Sequence, residues 1–146
     1  MKPFIPREWI RMRKQPEEHP WSRLSSYKMH MTIKQTSKGP YLRVCHTIKE
    51  NPIPDGVQWI KVPFSPGEVC WVREVYECEY DLWGVPEIRY KEKGDEPFYQ
   101  WLSPVTMPQK YARRHVRIIS CVPEQRGEWG WKVEWEDVNL PEFPDS

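Results

Sequence analysis

The residue that most invites chemistry is Glu74. It lies in Val69-Cys70-Trp71-Val72-Arg73-Glu74-Val75-Tyr76-Glu77-Cys78-Glu79-Tyr80, a run dense in β-branched and aromatic side chains. Read as a strand, the two-residue period puts Cys70, Val72, Glu74, Tyr76, Cys78 and Tyr80 on one face, with Glu74 its one charged group. A carboxylate withdrawn from water has to be paired with a cation, hydrogen-bonded to amides or kept protonated, and each arrangement can serve as a site. A structural ion pair meets the same demand, so burial by itself assigns no role.

Other candidates flank it. Arg73 is adjacent, Trp101 and Ser103 stand in Trp101-Leu102-Ser103-Pro104, and Arg113, Arg114 and Arg117 fall within five residues of one another. Arginines near Trp101 and Tyr111 form the basic and aromatic combination that single-stranded nucleic acid binders use for phosphate contact and base stacking. An ordinary solvated face explains Arg114 and Arg117 equally well.

Strands and loops must position these groups. Sixteen prolines and seven glycines in 146 residues interrupt every long helical period. Runs suited to strands recur at Tyr41–Ile48, Val57–Pro63, Val69–Tyr80, Glu87–Lys93, His115–Val122 and Trp129–Val138. In the last, Trp129, Trp131, Val133 and Trp135 alternate with Gly130, Lys132, Glu134 and Glu136, which gives one buried face. Six such runs suit a small barrel. Arg7–Lys14 has the pattern of a short amphipathic helix ended by Pro16, residues 15–40 read mostly as loop, and Met107–Arg113 suits one or two helical turns with Pro108 at the start. The Pro-rich acidic tail, 139–146, is expected to fray.

Length favours a single domain, 1–146, with a loop-rich basic segment at 1–40. Residues 1–50 carry 11 Lys and Arg against 4 Glu, on a chain whose net charge is only +1. A basic N-terminal third of this kind can follow a phosphate backbone. No apolar run approaches the roughly 18 residues of a membrane span, and the N-terminus lacks the features of a signal peptide, so a cytoplasmic protein with no membrane partner is expected. Cys45, Cys70, Cys78 and Cys121 contain no C-x-x-C pair and no His at zinc-finger spacing; buried thiols are expected, with no metal and no cofactor.

Four segments in order carry a resemblance. They are Pro66-Gly67-Glu68-Val69-Cys70-Trp71-Val72-Arg73-Glu74, Ile88-Arg89-Tyr90-Lys91, Trp101-Leu102-Ser103-Pro104-Val105-Thr106-Met107-Pro108 with Ala112-Arg113, and Trp129-Gly130-Trp131-Lys132-Val133. Together they resemble the ASCH-like proteins of bacteriophages and prophages, over about residues 66–138. The resemblance implies a mainly β, PUA-like fold, a small antiparallel barrel with a few short helices, and RNA or a nucleotide or nucleoside as partner. On that reading Arg73, Glu74, Trp101, Ser103 and Arg113 line a ligand cleft with Lys34 and Lys38 at its rim.

Some ASCH proteins resemble amidohydrolases that deacylate modified cytidine with a Lys, a Thr and a Glu. The nearest match to their N-terminal motif is Thr32-Ile33-Lys34-Gln35-Thr36-Ser37-Lys38, which lacks the motif's Gly and final Arg and has Ser37 at a Thr position. The resemblance then implies Lys34, buried and neutral, as base, Ser37 or Thr36 as nucleophile or water-orienting hydroxyl, and Glu74 as proton shuttle. A third reading makes the chain a phage assembly protein anchored by exposed aromatics, with Trp9, Trp21, Trp59 and Trp83 as candidates.

Overall fold

The computed structural model describes residues 1–140, apart from the side chain of Asp55. The chain is mainly β, with ten strands among the described residues, in order: β1 (Lys2–Phe4), β2 (Trp9–Arg11), β3 (Tyr27–Thr36), β4 (Gly39–Ile48), β5 (Asn51–Lys61), β6 (Val69–Val72), β7 (Tyr76–Tyr80), β8 (Pro86–Tyr90), β9 (His115–Arg126) and β10 (Glu128–Val138). No α-helix occurs among the described residues; the helical turn expected within Met107–Arg113 is a 3-10 turn at Gln109–Tyr111, entered through Pro108, and further 3-10 turns form at Lys91–Lys93 and Pro104–Thr106. No helix among them is long and apolar enough to cross a membrane.

The chain divides into two compact units, each described separately. The first holds residues 1–7, 67–118 and 135 onward, and the second 8–66 and 119–134.

In the first unit β1 runs parallel to β6, with Phe4 opposite Val72, and β6 runs antiparallel to β9. Phe4, Cys70, Val72, Val116 and Ile118 are buried there, and Trp135 meets Phe4 edge-on at 5.0 Å. A hairpin of β7 and β8 forms its own two-stranded sheet, under which Tyr76, Tyr90 and Met107 pack together. In the second unit β3, β4 and β5 form an antiparallel sheet in that order, while β2 pairs with β10. Pro52 and Pro54 are tolerated in β5 because it is the edge strand, where a missing N–H leaves no ladder partner unmatched.

Several expectations are corrected. The strands fall into three sheets, and none closes on itself, so the mainly β class holds without a closed barrel. Val69–Tyr80 is not one straight strand. Arg73 N–H donates to Phe4 O at 2.8 Å as β6 ends, and the chain then joins Leu102 and β8 through Tyr76 and β7.

Residues 15–26 lie outside the strands, as expected, but Tyr27–Thr36 form β3. Tyr27, Met29, Met31 and Ile33 turn inward from β3 while Lys28, His30, Thr32 and Lys34 point outward. The expected helix at Arg7–Lys14 is replaced by β2: eight residues are too few to hold a helix without tertiary support, and Trp9 finds better contacts as a strand residue. Its ring covers Gly130, where a Cβ would sit 2.2 Å from the indole, and its N–H donates to Glu124 O at 3.1 Å. The expected alternation in β10 holds, with Trp131 and Val133 buried. All four cysteines are free thiols; Cys78 is half-buried rather than buried. The tail beyond Leu140 lies outside the described residues.

Candidate functional site

Glu74 occupies the handover between β6 and β7, where neither sheet supplies a backbone partner. Its N–H instead donates to the thioether sulfur of Met107 at 3.2 Å. The carboxylate is buried, as the alternation predicted, and one oxygen accepts from Arg113 Nη2 at 2.6 Å. Arg113 also lies 3.7 Å from Glu92 and places its guanidinium 4.8 Å from the Tyr90 ring centroid. Burial raises the Glu74 carboxyl above the ordinary carboxylate range, against the lowering pull of Arg113, and the nearby Glu92 carboxylate adds to the rise.

Of these groups Glu74 and Glu92 border a cleft of about 510 Å³ in the first unit. Ile5, Pro6, Val75 and Pro104 supply apolar walls, and Arg73, Glu74, Lys91, Glu92 and Arg114 the polar ones. Two residues of this lining each bury a polar atom that has no hydrogen-bond partner: Oε2 of Glu74 and Nε of Arg73. The Arg73 guanidinium lies 5.1 Å from the Trp71 ring centroid, and its Nε–H has no acceptor. An acceptor and a donor from adjacent residues are therefore both unsatisfied, each costing about 1–3 kcal/mol.

The structure brings together Arg73, Glu74 and Arg113 of the expected set. Trp101 is half-buried outside this lining, and the Ser103 hydroxyl is engaged as a cap, accepting from Val105 N–H at 3.3 Å. Lys34, Ser37 and Lys38 belong to the second unit and are exposed. Lys34 thus lacks the burial that its role as base requires. Thr36 is held in the β3–β4 turn, its hydroxyl donating to Gly39 O at 2.8 Å and accepting from Lys38 N–H at 3.1 Å. Ser37 sits beside it at the tip of that turn.

The arginine group is also changed. Arg114 pairs with Glu92 at 2.6 Å and Asp137 at 3.1 Å, and Arg117 with Glu136 at 3.2 Å. With Arg113 on Glu74, all three are neutralised by carboxylates.

Sequence reasoning missed Met107, Lys91 and Glu92 as neighbours of Glu74. It also placed Glu77 with the opposite face, whereas Glu77 is buried and accepts N–H bonds from Phe98, from Tyr99 at 2.9 Å and from Gln100 at 2.8 Å. Burial opposes its ionisation, but the three amides and Arg89 outweigh that and hold it below the usual carboxylate range. Glu77 thereby fixes the loop leading to Trp101. Both oxygens of Glu77 accept hydrogen bonds; one buried oxygen of Glu74 has no hydrogen-bond partner. That difference separates a structural carboxylate from a candidate ligand group.

Comparison with family models, with curated proteins and with solved structures returned no match. The case for function rests on this geometry.

Proposed function

We propose that the chain binds a nucleotide, or the end of an RNA, through the Glu74 cleft, in keeping with the ASCH-like, PUA-like resemblance. One observation carries this reading: Arg73 and Glu74, which line the same cleft, each hold a buried polar side-chain atom with no hydrogen-bond partner. A nucleobase edge presents an amine or ring N–H beside a carbonyl or ring nitrogen, so a single base can give a hydrogen to Glu74 and accept one from Arg73. The apolar walls suit the faces of such a ring, and Lys91 at the rim suits a phosphate. Arg113 then acts as a positioning group, holding Glu74 ionised against its burial.

Calorimetric titration with the common nucleosides and their 5′-monophosphates tests this. At least one binds, and Glu74→Gln weakens it about 10- to 100-fold, the loss of one charge-assisted bond. Affinity also falls as pH drops and Glu74 takes up its proton, because a protonated Oε2 no longer accepts. Absence of binding at millimolar ligand, with the protein folded, sinks the reading.

A second reading, an assembly protein, has its own observation. The β7–β8 turn holds Leu82 fully exposed and Trp83 at 89% exposure, with Tyr80 and Val85 exposed beside them. Asp81 Oδ1 accepts from the N–H groups of Trp83 and Val85 at 2.8 and 2.9 Å, so the apolar tip is held rigid. If the tip is a contact anchor, Trp83→Ser abolishes concentration-dependent association in sedimentation velocity and leaves stability unchanged. A wild type that stays monomeric at high concentration and binds no partner removes this reading.

A further inference from the structure

We propose that the outer face of the β3–β4–β5 sheet is a platform for single-stranded nucleic acid, separate from the Glu74 cleft and independent of it. Register defines the face. Tyr41 of β4 lies between Lys34 of β3 and Lys61 of β5, and in the next row Arg43 lies between Thr32 and Trp59. Side chains at these positions share one side of the pleat, opposite Leu42, Val44 and Ile60, which are buried. Lys34, Lys61 and Thr32 are exposed, Trp59 is 46% exposed, and Tyr41 and Arg43 are half-buried. Lys38 projects from the β3–β4 turn, and with Tyr41 and Trp59 it borders a shallow hollow of about 280 Å³.

The charges on this face differ in kind from those of Arg113, Arg114 and Arg117. Among the described residues no carboxylate pairs with Lys34, Lys38, Arg43 or Lys61. Neither β3 nor β4 contains an acidic residue, nor does 56–61 of β5. Four uncompensated cations around two aromatic rings on a flat, edge-bounded sheet give a polyanion its counter-charge and unstacked bases their stacking surface. The second flank of Trp59 continues the pattern. It opens on a groove of about 550 Å³ that also holds Arg13 and Lys14. A duplex hides its base faces and cannot use the rings, so the ligand these groups fit is a single strand.

Fluorescence anisotropy with labelled oligo(U) and oligo(dT), and with a duplex of equal length, tests the proposal at two or more salt concentrations. Binding of either single strand is expected, tighter than the duplex, with Trp59→Ala weakening it about tenfold or more. Lys34→Gln and Lys61→Gln, both at exposed positions where folding is undisturbed, should each lower the slope of log affinity against log salt by about 0.7. Three results overturn the proposal: no single-strand binding at low salt, equal displacement by poly-glutamate, or affinity insensitive to Trp59→Ala and both lysine variants. If Glu74→Gln abolishes oligonucleotide binding while the lysine variants are silent, the strand sits at the cleft and the platform is rejected. Nucleoside titration reads the cleft alone, so the two sites fail or stand separately.

Discussion

Arg113→Met should destabilise the protein by about 3 kcal/mol at neutral pH and by far less in acid. Removing one partner of a buried ion pair strands the other charge, and the stranded charge here is Glu74, whose side chain is only 4% exposed. In the folded protein the Glu74 carboxyl is already raised by burial, so the native state keeps its proton to higher pH than the unfolded chain does. Ionising it therefore withdraws stability as pH rises, and Arg113 limits that withdrawal. Without Arg113 the deficit grows as pH climbs through neutrality. Below the ordinary carboxylate range Glu74 is protonated in both states, and the residual loss is the guanidinium's contact with the Tyr90 ring. Urea unfolding of wild type and variant at acid and neutral pH measures the difference. Adding Glu74→Gln should restore most of the neutral-pH loss, a coupling that separates an electrostatic role from simple packing. Equal losses at both pH values would mean that Arg113 acts through its bulk.

The same residues show what could be read from the chain and what could not. Glu74 was legible because burial alternates with period two, a local property, and one acid among Cys, Val and Tyr stands out in any such reading. Its setting was not. β6 ends at Val72 and pairing resumes at Tyr76: Phe4, far away in sequence, accepts from Arg73 N–H, and Leu102 exchanges backbone hydrogen bonds with Tyr76. Glu77 lies out of phase with Glu74 and so reads as a solvent-facing acid; only the return of residues 98–100, more than twenty positions later, encloses it. Strands rich in Val, Ile and Trp were found, whereas β3, built on Met, His and Lys, was hidden by its weak strand formers. Its alternation was present all the same, and it aligns Lys34 with Tyr41 and Lys61.

Charge tells a parallel story. Counting arginines selected Arg113, Arg114 and Arg117 as a phosphate surface, yet each meets a carboxylate from a distant segment. Cations that matter to a polyanion are those left uncompensated, and compensation is a property of the fold. The acid-free strands β3 and β4 were the available signal, since a stretch without Asp or Glu cannot neutralise its own lysines.

Met107→Ala should reduce stability by about 3 kcal/mol and weaken the cleft at the same time. Met107 is 1% exposed and packs with Tyr76 and Tyr90, so truncation leaves a cavity in a cluster that the short 3-10 turns cannot readily collapse to fill. The same side chain accepts the Glu74 N–H, which no strand partner can take over at the handover between β6 and β7. Met107→Leu separates the two effects. Leucine keeps nearly the whole volume, so the packing loss should stay below about 1.5 kcal/mol, but it offers no sulfur to the amide. If the thioether positions Glu74, the leucine variant should bind nucleoside several-fold more weakly than wild type while unfolding at nearly the same urea concentration. Hydrogen exchange at the Glu74 amide should quicken in both variants. Unchanged ligand affinity in Met107→Leu would confine Met107 to the core and leave Arg113 as the group that orients the carboxylate.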